Sequence, residues 1–193
     1  MDSDFLMQVE CVQSRRGAGF TLVELLITVL VLSIMLTLAV PAFEGYVKSD
    51  EQWVQQNTLV LSLNAARSEA IKQDVAGGVQ ICASSDGTTC AGASWAQGWI
   101  VLSSASPVPL QVVGALPAGT TLTEANGNLT IAFLSNGAVN STALTNPAAP
   151  PAFTMCDSRG ATQARFTQVS LMGRVISAPV VGQNLSAGAL ACP

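Results

Sequence analysis

The 193-residue chain contains no histidine. That removes the side chain most often used for proton transfer near neutral pH and the commonest metal ligand. Charge is also scarce: Asp, Glu, Lys and Arg make up 10% of the residues, with 8 basic against 12 acidic side chains. So acidic a balance gives no general attraction to nucleic acid or anionic lipid. There is no C-x-x-C pair, no paired-carboxylate pattern and no phosphate-cradling loop, and Lys48 and Lys72 fall in a helical stretch. Gly137 and Gly160 stand beside Asn or Arg and read as turns. No catalytic residue, metal site or cofactor is expected.

What the chain does have is a long apolar run. From Phe20 to Val40 it is broken only by a few Thr and Ser and by one carboxylate, Glu24. As a helix, at about 1.5 Å per residue, that length crosses a bilayer core of roughly 30 Å. Glu24 is the anomaly, because a carboxylate in such a segment costs several kcal/mol without a partner. Cleavage between Gly19 and Phe20 would create a new α-amino group at Phe20 and make Glu24 the fifth residue. Among parallel, axially offset helices the carboxylate of one chain can meet the amine of the next. Such a pair removes the cost of burying either charge alone and sets the stagger between subunits. An ordinary signal anchor explains the apolar run but not the glutamate. A secretory signal peptide fits worse, since the run is too long and no A-x-A-like site follows.

The stretch Gly19-Phe20-Thr21-Leu22-Val23-Glu24, with Pro41 at position 22 after the cut, closely resembles type IV prepilins and pseudopilins. The resemblance implies cleavage by a prepilin peptidase, N-methylation of Phe20 and assembly into a helical filament. It also implies an α+β, pilin-like fold, in which a long N-terminal helix packs on an antiparallel β-sheet domain. The expected organisation is a cleaved leader at 1–19, a membrane and filament-core helix at 20–41, its amphipathic continuation at 42–76, and a β-rich periplasmic domain at 77–193. The leader is long for this family, and both Met1 and Met7 are candidate starts.

Arg15 and Arg16 should remain cytoplasmic, leaving everything beyond about residue 41 outside. The expected location is the inner membrane, single-pass with a periplasmic C-terminal domain, and then the filament. The leader carries one of the four net negative charges, so the mature side chains sum to −3. Cys11 leaves with the leader. Four cysteines remain, and in an oxidising compartment they read as two disulfides. Of three pairings, Cys82–Cys90 and Cys156–Cys192 are favoured: the first brackets a turn-rich SSDGTT, and the second would fasten the tail to the sheet.

Pro41 is expected to kink the helix rather than end it, because apolar residues recur beyond it. Leu59, Leu63, Ala66 and Ala70 fall at helical spacing and form the inward face, with Arg67, Lys72 and Gln73 outward. The stop is expected near Gly77-Gly78. Predicted strands cover Gly78–Ala83, Gly98–Ser103, Leu110–Gly114, Leu129–Leu134, Ala152–Cys156, Arg165–Leu171 and Arg174–Ser177, with an exposed loop at Ala138–Pro151. Trp99 is assigned to the core, and Trp95, beside a turn, to a more open position.

Shorter phrases resemble the GspH/FimT group of minor pilins and pseudopilins. They are Ala66-Arg67-Ser68-Glu69-Ala70-Ile71-Lys72, Gln97-Gly98-Trp99-Ile100-Val101, Leu134-Ser135-Asn136-Gly137, Cys156-Asp157-Ser158-Arg159-Gly160 and Gly173-Arg174-Val175. The likeness, FimU-type members included, implies a minor pilin in a filament-tip complex that primes assembly. Its partners would be the prepilin peptidase, the major pilin and other minor pilins or pseudopilins, with the inner membrane before assembly. A type II secretion pseudopilin is the sister reading. Some FimT-type pilins take up DNA through Gly-Arg-x-Arg. Here the second arginine is missing, since Gly173-Arg174 is followed by Val175-Ile176. Arg159, Arg165 and Arg174 are the candidate DNA contacts, and few cations on an acidic domain predict weak binding.

Overall fold

The computed structural model describes residues 19–74 and 77–192. Most of the leader, including Met7, Cys11, Arg15 and Arg16, lies outside the described residues. Among these residues one α-helix, α1 (Leu22–Gln73), is followed by eight strands. The chain divides between Glu44 and Gly45 into two compact units, each taken by itself below.

In the first unit α1 is apolar and, in the isolated chain, exposed along its whole length to Val40. Its few hydroxyls do not spoil it for a membrane. Thr28 donates to the carbonyl of Leu25 (2.8 Å), Ser33 to that of Leu30 (2.7 Å) and Thr37 to that of Ile34 (2.7 Å). A polar group bonded within its own helix needs no partner from lipid. The segment is long and apolar enough to cross a membrane, and the backbone stays helical through Pro41.

In the second unit α1 presents Leu59, Leu63, Ala66 and Ala70 inward, all fully buried. The strands are β1 (Val79–Ala83), β2 (Trp99–Ser103), β3 (Gln111–Val113), β4 (Thr121–Glu124), β5 (Thr130–Phe133), β6 (Ala152–Cys156), β7 (Arg165–Val169) and β8 (Val175–Ser177). They form two antiparallel sheets, ordered β3-β2-β1-β5 and β4-β6-β7-β8. Strand alternation turns Val79, Ile81, Val101, Ile131 and Phe133 onto the helix, with Leu122, Phe153 and Val169 from the second sheet joining the same core. The two alanines keep the helix thin where the sheet approaches. Trp99 is fully buried.

Several sequence-based expectations are corrected. Trp95 is not open: it is 1% exposed, its indole N–H donates to the Asn128 carbonyl (2.8 Å), and its ring meets Phe153 edge-to-face at 5.0 Å. A capping box, Ser94 with Gln97, holds the turn that carries it. Strand β4 lies outside every predicted strand. The helix stops at Gln73, short of the glycines, because Asp74 takes a left-handed φ of 43° that no α-helix can continue. The 138–151 segment is not wholly exposed: Val139 bridges to Phe133, and Val139 and Leu144 are buried. Neither Arg67 nor Gln73 points freely outward. The Gln73 amide carbonyl accepts from the Ser103 hydroxyl, and Arg67 reaches across two turns.

Candidate assembly interface

The first turn of α1 carries the residues of greatest interest. Thr21 caps the helix, its hydroxyl accepting from the Glu24 backbone N–H (3.2 Å). Glu24 is thus the third residue of the first turn, where a carboxylate also favours the helix dipole. That local role is worth about 0.3–1 kcal/mol, less than the several kcal/mol that burying the charge in lipid costs. Capping alone therefore does not account for Glu24. Among the described residues its side chain has no hydrogen-bond or ion-pair partner. Phe20, the residue that would carry the new amine, is exposed beside it.

The four cysteines of the second unit lie as two bonded pairs: Cys82–Cys90, with Cα atoms 5.5 Å apart, and Cys156–Cys192, 5.9 Å apart. The first closes a loop organised by Asp86. Its carboxylate accepts from the Thr88 N–H (2.9 Å), the Thr89 N–H (2.8 Å), the Thr89 hydroxyl (2.7 Å) and the Ser84 hydroxyl (3.0 Å). Those donors, the Thr89 and Thr88 amides foremost, hold Asp86 far below the usual carboxylate range. The second pair ties the C-terminal tail to β6.

Two of the three candidate DNA-contact arginines are occupied inside the fold. Arg159 forms an ion pair with Asp157 (2.7 Å) and donates to the Gly45 carbonyl (3.0 Å), the Ser49 hydroxyl (2.6 Å) and the Gln52 side-chain carbonyl (3.2 Å). Arg165 reaches the Gln56 side-chain carbonyl (3.4 Å) and the Ser49 backbone carbonyl (3.5 Å). Burial, and then the nearby Arg159 charge, lower its pKa. Gln56 completes this polar layer by donating to the Phe166 carbonyl and the Thr167 hydroxyl, both at 3.1 Å. These contacts join α1 to β7 and the turn after β6, a role that the sequence could not reveal. Arg174 is exposed, and among the described residues it is the one cation whose side chain has no hydrogen-bond or ion-pair partner.

Asp157 is opposed by burial, but the hydrogen bonds and charge of Arg159 outweigh that, and its pKa is lowered from 3.8. A carboxylate lowered in the folded state gives stability that is complete above its unfolded pKa and lost as pH falls through the folded value. Asp157→Asn should therefore cost about 1.5–3 kcal/mol at neutral pH. The gap in Tm from wild type should close as pH drops below 3.8. Thermal melts across pH check this; a gap independent of pH would contradict the ion-pair account.

Three of the short sequence phrases meet in space. Arg67 Nε donates to the Gly137 carbonyl (2.9 Å) and its Nη2 to that of Met172 (3.3 Å). The turn at Gly173 lies directly on the turn at Gly137. Arg67 thus bolts the helix to two glycine turns, so these residues mark a packing solution rather than a binding surface.

An apolar helix with a carboxylate in its first turn, leading into a disulfide-bonded unit of a helix on two antiparallel sheets, defines a pilin-type filament subunit. Residues 55–173 match the family of type II transport protein GspH, and residues 14–40 match the prokaryotic N-terminal methylation motif. The chain belongs to the GspH family, within the minor pilins and pseudopilins. Among solved structures it is similar to the type IV minor pilin FimU of Pseudomonas aeruginosa, at 26% identity and TM-score 0.54, covering 69% of this chain and 92% of that one. A second crystal form of FimU aligns at 25% identity and TM-score 0.49, covering 64% and 89%. The comparison with curated proteins gives no match.

Proposed function

We propose that this chain is a minor type IV pilin. Prepilin peptidase cuts between Gly19 and Phe20, Phe20 is N-methylated, and the mature chain enters the filament from the inner membrane, in the tip complex that primes assembly. The observation that carries this reading is Glu24, fifth residue after the proposed cut, a carboxylate in the first turn of an otherwise apolar helix with no side-chain partner among the described residues. Its partner is the amine of a neighbouring subunit, and the globular units then make the sideways contacts. The likeness to FimU, itself a type IV minor pilin, supports a pilus over a secretion pseudopilus; the family's description as type II transport keeps the second machine as the alternative. Mass spectrometry of sheared, purified pili tests it. The account expects a chain whose first residue is methylated Phe20. Absence from pili, with recovery in type II secretion pseudopili, would assign it to the other machine.

The DNA-uptake reading gains little. With Arg159 and Arg165 engaged internally, Arg174 is the one free guanidinium among the described residues, and phosphate binding needs several cations. Micromolar, steeply salt-dependent binding that Arg174→Ala abolishes would reverse that judgement.

A further inference from the structure

Three buried donors of the second unit have no acceptor among the described residues: Gln52 Nε2, Arg165 Nε and Trp99 Nε1. Trp99 is enclosed in the core, whereas Gln52 and Arg165 belong to the polar layer on α1. Gln52 is 3% exposed. Its side-chain carbonyl already accepts from Arg159 Nη2 (3.2 Å). A guanidinium only donates, so the amide cannot be flipped, and Nε2 is its free end. Gln52 lines a cleft of about 150 Å³ that Arg159 does not line. The carbonyl end is therefore turned away from the cleft and the N–H end toward it.

The cleft has three walls: α1 from Lys48 to Gln55, the turn from Pro117 to Thr120, and Asp157 with Ser158. Lys48 Nζ donates to the Ser158 hydroxyl (3.1 Å), which leaves that hydroxyl's own proton to donate elsewhere. The 117–120 turn closes through the Thr120 N–H to the Pro117 carbonyl (3.0 Å). The backbone N–H groups of Ala118 and Gly119 have no partner among the described residues. The acceptors nearby are already used. The Asp157 carboxylate takes the Arg159 backbone N–H (2.8 Å) and its guanidinium (2.7 and 2.8 Å). Behind it, Arg159 and Arg165 stand against that single carboxylate, a positive excess in an otherwise acidic protein.

Donors thus outnumber acceptors, and they come from separate walls. A tetrahedral oxyanion presents acceptors in several directions, whereas a carboxylate presents them in one plane. Glu51 also lines the cleft and is exposed. Its charge disfavours a dianion, since like charges at close range repel. We infer that the cleft binds a singly charged phosphodiester group, held by Lys48, Ser158 and the Gln52 side-chain amide. Such a group occurs in the headgroup of an anionic phospholipid and in soluble glycerophosphodiesters. The inference stands on the cleft alone and does not depend on filament assembly.

The test uses the full-length chain purified in a neutral maltoside detergent and followed by isothermal titration calorimetry. Glycerophosphoglycerol is the soluble probe and dihexanoyl phosphatidylglycerol the lipid probe. The account expects saturable binding of at least one of them. Gln52→Glu keeps the oxygen that Arg159 holds and replaces only the donor by an acceptor. It should weaken binding about tenfold or more, with Tm not lowered. Lys48→Gln, at an exposed position, should weaken it about fivefold. Lys72→Gln, whose lysine pairs with Glu69 and does not line the cleft, should leave it unchanged. Lipid binding about tenfold tighter than that of the soluble probe assigns the site to a lipid headgroup. Equal affinities assign it to a soluble diester. Absence of saturable binding by either probe, or binding that Gln52→Glu leaves unchanged, overturns the site.

Discussion

Gly173→Ala is expected to prevent stable folding of the second unit. A Cβ at this position would lie 1.9 Å from the Gly137 carbonyl oxygen and 2.8 Å from Arg67 Nε, at a φ of 77° that side chains rarely adopt. The oxygen belongs to backbone in a second tight turn, so it cannot rotate away as a side chain would. Separating the turns would break the two hydrogen bonds from Arg67 and lift the β7–β8 hairpin from the helix. Steric overlap with fixed backbone, added to left-handed strain, should exceed about 4 kcal/mol, in the exceptional range for one substitution. Gly160→Ala is the matched control, because Gly160 has a similar φ of 81° but open space around it. It should cost only the conformational strain, about 1–3 kcal/mol for a backbone at φ 81° and ψ −168°. Thermal unfolding of the two variants separates clash from strain. The account predicts a fall of several degrees for Gly160→Ala, and for Gly173→Ala a much larger fall or no cooperative transition. Equal falls would mean that the two turns do not bear on one another as described.

Much of this architecture is legible in the sequence because it rests on local rules. Leu59, Leu63, Ala66 and Ala70 recur at helical spacing, and all four are core residues. Seven of the eight strands lie where apolar runs meet Gly and Asn turns, most of them a residue or two shorter than the pattern predicts. What escaped the sequence depends on partners far along the chain. Thr121–Glu124 ends in a carboxylate and reads as loop. Yet Glu124 is buried, accepting from the backbone N–H groups of Asn126 (2.9 Å), Asn128 (2.7 Å) and Ala152 (3.0 Å). Such a satisfied buried charge leaves no periodic signal. Trp95 sits among turn residues, and only Phe153 and the Asn128 carbonyl make its burial favourable. Arg67 lies near the edge of the inward face, where periodicity points a side chain outward, but its length lets the guanidinium reach turns around residues 137 and 173. The same reach takes Arg159 and Arg165 back to α1, more than a hundred residues earlier, and out of the pool of cations open to a ligand.

Glu24 is the reverse case: the anomaly is plain in the sequence, and the partner proposed for it belongs to another molecule. The account holds that the carboxylate, in the apolar core of a filament, pairs with the Phe20 amine of a neighbour. Removing one member of a buried ion pair leaves the other charge uncompensated, at about 3–5 kcal/mol. Since each 1.4 kcal/mol is a factor of ten, incorporation should fall by an order of magnitude or more. Glu24→Ala removes both the charge and the helix-capping possibility. Glu24→Gln is more telling, since glutamine still suits the third position after Thr21 and keeps the side chain's size while losing the charge. Neither change touches the cleaved bond, so both variants should reach the membrane and be processed normally.

The measurement that bears most directly on the central claim is therefore the ratio of this chain to the major pilin in purified filaments, for wild type and Glu24→Gln, with processed chain in the membrane measured alongside. The pairing account predicts normal processing and at least a tenfold loss from filaments. Wild-type incorporation of Glu24→Gln would show that the charge is not needed, and would contradict the claim that Glu24 positions this subunit against its neighbour.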